Sequence, residues 1–141
     1  MAGYSGTPLA RKLGMKPGHV VALVGAPQGW QVEGLPAGVE VRPDGPVPGA
    51  EVTVAFFRDL ASLTSDVPGL ARSTAADGAL WVAWPRRAGG HTSDVTENDI
   101  RAVVLPLGLV DVKVAALDQD WSGLKMVWRK ELRPGVAARQ G

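Results

Sequence analysis

Three uninterrupted apolar runs of strand length dominate the chain: "HVVALVG" (19–25), "VTVAFF" (52–57) and "ALWVAW" (79–84). A strand with one face in water alternates apolar and polar residues, and these runs do not alternate. They suit central strands covered on both faces, the habit of parallel sheets flanked by helices. Helical patterns separate and follow them. Leu60, Leu63, Val67, Leu70 and Ala71 recur at helical spacing within 58–73, where Pro68 predicts a kink or two short helices. Ile100, Val103, Val104 and Leu107 make a second stripe, opened by Thr96 and Asp99 at capping-box spacing and closed by Gly108.

Thr7–Pro8 predicts a short leading helix, with Thr as the cap and Pro in the first helical position. Leu9 and Leu13 share one face of it, and Gly14 stops it. Residues 26–49 are rich in Gly and Pro and read as loop, with a helical turn near Trp30 and a short strand at 39–42. The "ADG" at 76–78 reads as a turn into the third apolar run. "LVDVKVAALD" and "LKMVWRK" face each other across "QDWSG", which predicts an antiparallel hairpin. The expected fold is α/β: a three-layer, Rossmann-like, mostly parallel sheet closed by a C-terminal antiparallel hairpin. One domain spans 1–130, and 131–141 reads as a flexible basic tail.

Composition removes several chemistries. There is no cysteine, hence no disulfide, zinc–thiolate centre or thiol nucleophile. With two histidines, a structural metal site is not expected. No run of about 18 apolar residues and no leading apolar segment is present, so a cytoplasmic location without membrane contact is expected. The net charge of +1 is too low for nucleic-acid coating, but it is unevenly spread. Arg11, Lys12 and Lys16 give the first 18 residues +3, and Arg129, Lys130, Arg133 and Arg139 against Glu131 give the last 13 the same. The body between carries the balance of −5. Basic ends on an acidic body can hold a small anion or a partner's acidic face, or can simply be solvated.

No motif fixes a reaction. The loop "GAPQGW" (25–30) follows the first buried run, where a nucleotide or methyltransferase cofactor would sit, but its middle glycine is missing and Pro27 has no N–H to offer. Glu40 or Asp44 could accept ribose hydroxyls there, or be ordinary loop acids. "GYSG" (3–6) is not a nucleophile elbow, and "HTSD" (91–94) reads as turn and cap chemistry rather than a triad. His19 begins a strand and reads as structural. "WPRR" (84–87) is the strongest site candidate: Pro85 stops a buried strand, and two guanidiniums follow at the strand end where open α/β sheets bind ligands. Trp121, in the hairpin turn, is either an exposed anchor or a plug folded onto the sheet.

Four stretches together resemble a bacterial domain-of-unknown-function family common in actinobacteria: "GYSGTPLARKLG" (3–14), "LWVAWPRR" (80–87), "LPLGLVDVKV" (105–114) and "DQDWSGLKMVWRK" (118–130). Members usually carry more Lys than Arg in the first two stretches, a difference that keeps the charge. The resemblance implies an actinobacterial, cytoplasmic protein and brings no activity, substrate or catalytic residue. The element order is similar to the sheet of the S-adenosylmethionine-dependent methyltransferase superfamily in reduced form.

These features predict a non-catalytic binding or regulatory protein that needs no cofactor. It would engage a protein partner or a small anion through Ser5, Thr7, Trp84, Arg86, Arg87 and Trp121 at the strand-end face. A small methyltransferase-like enzyme and a homodimer joined through the edge hairpin at 110–130 are the alternatives.

Overall fold

The three apolar runs lie side by side because each must be hidden on both faces. In the computed structural model, which describes residues 7–87, 90 and 92–140, they become β1 (Val20–Val24), β3 (Ala50–Phe56) and β4 (Thr74–Pro85), paired in parallel. A short β2 (Glu40–Arg42) adds in parallel to the free edge of β1. The hairpin strands β5 (Leu109–Ala116) and β6 (Trp121–Trp128) complete a six-stranded sheet of order β2-β1-β3-β4-β6-β5, β6 running antiparallel to β4. The expected Rossmann-like sheet with a closing hairpin is the observed one.

Along β3 the side chains divide between two cores. Val52, Val54 and Phe56 join Ala10, Leu13, Leu23, Trp81 and Trp121 on one face. Ala55 and Phe57 join Leu63, Leu80, Ile100, Leu124 and Met126 on the other. The second face is covered by α2 (Leu60–Ser73), α3 (Glu97–Val104) and α4 (Arg133–Gln140). On the first lie α1 (Leu9–Lys12) and half-buried residues of the loop after β1, among them Trp30 and Val32. The indole N–H of fully buried Trp81 donates to the Leu13 carbonyl at 3.1 Å, giving a helix-end acceptor its partner and fixing α1 on the sheet.

Four local expectations are corrected. α1 is a single turn whose cap position is Pro8, and no side chain caps it, so Thr7 stands outside the helix instead of closing it. α2 is one helix through Pro68, so the alternative of two short helices is not the one formed. Leu63, Val67, Leu70 and Ala71 are buried on both sides of the lost hydrogen bond, and their burial outweighs a cost of about 3 kcal/mol. "ADG" is not a turn but part of β4, at an irregularity where the register with β3 slips between Ala50 and Val52. Gly78 is required there by close approach: a Cβ would stand 2.6 Å from the Glu51 carbonyl oxygen. Finally, the segment read as a tail forms α4, held by Val136 at 2% exposure and by Gln140, whose amide donates to the Thr74 carbonyl at 2.7 Å.

The reciprocal bonds of the capping box form as expected: Asp99 N–H donates to Thr96 Oγ1 at 3.2 Å, and Thr96 N–H donates to Asp99 Oδ2 at 3.0 Å. Arg101 then ties α3 to β5 by donating to Asp111 at 2.9 Å, while its bond to Glu97 at 3.1 Å stays within α3.

Replacing Gly78 by Ala forces β3 and β4 apart, and chemical denaturation should show a loss of about 1–3 kcal/mol. The hydrogen bond from Arg101 holds the Asp111 carboxyl below its usual range, and the Ser62 backbone N–H does the same for Asp59. Stability from these depressed groups is complete above the ordinary carboxylate range and is lost as pH falls through their lowered values. Melting temperature should therefore drop below about pH 4, less steeply in Asp111→Asn.

Candidate functional site

The chain passes from β1 to β2 on one side and returns to β3 on the other, so the sheet's switch point lies at the carboxyl ends of β1 and β3. Aromatic side chains occupy it. Phe56, the last residue of β3, meets Trp30 edge-on at 4.8 Å and 73°, and Trp121 edge-on at 5.0 Å and 87°. Each such pair contributes about 0.5–1.5 kcal/mol beyond area burial. The Arg58 guanidinium lies 5.0 Å from the centre of the Trp121 ring. Trp121 is 6% exposed, so of the two expectations for it the plug describes the fold.

Asp118 fastens this cluster. Its Oδ1 accepts from the N–H groups of Asp120 at 2.7 Å and Trp121 at 2.8 Å, which shapes the hairpin turn. Its Oδ2 accepts from the Trp30 indole at 3.0 Å, and its backbone carbonyl accepts from Arg86 Nη1 at 2.9 Å. The Arg86 N–H donates to the Asp120 carbonyl at 2.8 Å. Sequence reasoning missed Asp118 and Arg58. For Asp118 the available signal was local: an Asp two and three residues before the N–H groups it binds, in "DQDW".

The proposed site residues fall into three cavities. Trp84, Arg86 and Arg87 line one of about 500 Å³, together with Val95, Asn98 and Ser122. Thr7 lines another of about 340 Å³ beside Trp30, Lys12 and Asp118. Trp121 lines a third, of about 290 Å³, with Arg58 and Pro85. Thr7 and Arg86 thus both adjoin Asp118 without sharing a cavity, and the Arg86 guanidinium is committed to a carbonyl of the chain itself. Ser5 and His91 lie outside the described residues. Ser93 and Asp94 are engaged in turn and cap bonds: the Ser93 hydroxyl donates to the Arg58 carbonyl at 2.9 Å, and Asp94 accepts from the Leu60 N–H at 2.8 Å.

The cavity beside the end of β4 keeps part of its chemistry uncommitted. The Arg87 guanidinium is exposed and, among the described residues, makes no hydrogen bond or ion pair. Asn98 gives its carbonyl oxygen to Arg101 at 3.2 Å, which leaves its amide N–H donors available. Glu97, the acid on this wall, is paired with Arg101. Half-buried Trp84 and buried Val95 supply apolar surface.

No protein-family model and no curated protein matches the chain. Its fold is shared with solved methyltransferases. A TehB-like S-adenosylmethionine-dependent methyltransferase from Corynebacterium glutamicum superposes with a TM-score of 0.58 at 12% identity, over 86% of this chain and 85% of that one. A S-adenosylmethionine-dependent methyltransferase from Aquifex aeolicus gives 0.55 at 12% identity, over 84% and 87%. The fibrillarin pre-rRNA processing protein of Methanococcus jannaschii gives 0.55 at 12% identity, over 85% and 73%. No helix among the described residues is long and apolar enough to cross a membrane.

Removing the Asp118 carboxylate strands three donors. Asp118→Ala should cost about 2–4 kcal/mol by chemical denaturation. It should also shift the tryptophan emission to longer wavelength as Trp30 and Trp121 gain water, and an unchanged spectrum would count against the fastening role.

Proposed function

We propose that this chain is a small-molecule-binding protein built on a methyltransferase-type sheet, taking a carboxylate with an apolar body in the cavity at the end of β4. One observation carries the reading: the Arg87 guanidinium, without a partner among the described residues, on the rim of a cavity of about 500 Å³ whose wall includes Trp84 and Val95. That volume lies within the range of about 300–1,000 Å³ typical of small-molecule sites. Arg87 offers a planar donor fork to a carboxylate, while Asn98 and Ser122 offer directional donors beside it.

S-adenosylmethionine-dependent methyl transfer is the second reading, favoured by the sheet shared with the solved methyltransferases. The residues at the switch point do not form a cradle for that cofactor. A Cβ at Gly25 would stand 3.1 Å from the Phe56 carbonyl oxygen, so this glycine serves the approach of β1 to β3, and Pro27 supplies no N–H. Trp30 packs edge-on against Phe56 above the end of β3. Glu40 binds Arg42, and Asp44 lines none of the three cavities described. Shared architecture is a weak warrant for shared chemistry.

A thermal-shift screen of aromatic and aliphatic carboxylates against S-adenosylmethionine tests both readings. A carboxylate present at 100 times its Kd should stabilise the protein by about 2.7 kcal/mol. Arg87→Ala should weaken that carboxylate about tenfold or more. Stabilisation by S-adenosylmethionine, with none by any carboxylate, would transfer the conclusion to the second reading.

A further inference from the structure

On the α1 face, remote in the sheet from the carboxyl-end cavities, β5 and β6 set Lys113 directly opposite Lys125. Directly opposed like charges repel and weaken a strand pair. Lys16, from the turn before β1, adds a third ammonium near them. Burial pushes Lys125 below the usual lysine range, and repulsion from Lys113 and Lys16 pushes it further. Among the described residues no carboxylate pairs with Lys16, Lys113 or Lys125.

The lysines stand at a cavity. Lys16 and Lys125 line a space of about 260 Å³ floored by Val52, Ala79 and Val127. Its other charged and titratable residues are His19, Glu51 and Asp77. Glu51 is committed to the fold, accepting from the Val20 N–H at 2.7 Å, and His19 accepts from the Lys16 N–H at 3.1 Å. No arginine lines it, so the planar fork that suits a carboxylate is missing. Compact ammonium charges on flexible stems bind as point charges, and several of them together favour a multiply charged anion such as a phosphate group.

We propose that Lys16, Lys113 and Lys125 form a phosphate site, which takes a diphosphate group either free or carried on a nucleoside. The bound group supplies the negative charge that the strand register lacks. The site is separate from the Arg87 cavity and does not rest on the function assigned to it.

Titration calorimetry and thermal melts of the full chain with pyrophosphate and, separately, adenosine diphosphate test this. Pyrophosphate should raise the melting temperature, less at high salt because the contacts are between charges. Lys125→Met removes one repelling charge, so the ligand-free melting temperature should hold or rise while the pyrophosphate affinity falls about tenfold or more. Lys16→Met, at an exposed turn, should lose the same affinity without disturbing the sheet. Arg87→Ala should keep the response. Equal affinity for the two probes assigns the site to the diphosphate group alone, and tighter adenosine diphosphate assigns it to a carried one; both support the proposal. It is overturned if pyrophosphate gives no shift, if both lysine variants keep the shift, or if only Arg87→Ala abolishes it.

Discussion

Three N–H groups converge on the carboxylate of Asp118, and the carboxyl edge of the sheet takes its shape from that convergence. Two of the donors belong to the hairpin turn, so the carboxylate fixes where β6 begins and seats Trp121 against Phe56. The third is Trp30, which is brought down on the other edge of the same phenyl ring. Through its carbonyl, Asp118 also holds Arg86. Arg87, the next residue, is left facing solvent with its charge uncommitted. One acid thus sorts two adjacent arginines into a structural one and an available one.

Beneath that edge, the sheet is governed by the burial of β3 and β4 on both faces. Where both sides must pack, close approach sets residue choice: Gly78 admits the Glu51 carbonyl, and Gly123 leaves room for the Trp81 ring at 3.0 Å. The same demand explains why one turn of helix suffices at the start of the chain. α1 adds little by itself, since an isolated turn is not stable in water. Leu13 is fully buried in the core, and its carbonyl receives the Trp81 indole, so the sheet stabilises the helix.

What was legible in the sequence follows from range. The apolar runs, the two helical stripes, the Thr96–Asp99 capping box and the hairpin are local patterns, and each formed close to where its residues placed it. The Asp118–Trp30 contact spans 88 residues and leaves no periodic trace. At Pro68 the local cost is visible in the sequence, while the packing that keeps α2 in one piece is not. The basic segment after 130 carries one strongly anchoring apolar residue, Val136, too little for a stripe but enough to dock a two-turn helix beside Thr74. "WPRR" was legible as a strand end, but which guanidinium the fold would consume depended on a carbonyl 32 residues away.

The methyltransferase-type sheet and the packing of its switch point must be weighed together, since they point in different directions. An open α/β sheet leaves a crevice where the strand order reverses, and what fills that crevice decides which ligand the fold can take. In this chain Phe56 packs edge-on against Trp30 and Trp121 at that crevice, and the Trp30 indole donates to Asp118, with cavities of about 340 and 290 Å³ beside the rings. Opening it means giving up two edge-on ring contacts and the Trp30–Asp118 bond together, of order 2–4 kcal/mol from the typical values of such contacts. A ligand that displaced these rings would have to supply that energy before gaining any net affinity. Charge without a carboxylate partner among the described residues lies at Arg87, beside the end of β4, and at the lysines across β5 and β6. Neither belongs to the two apolar cores, so a ligand proposed there would not have to undo them.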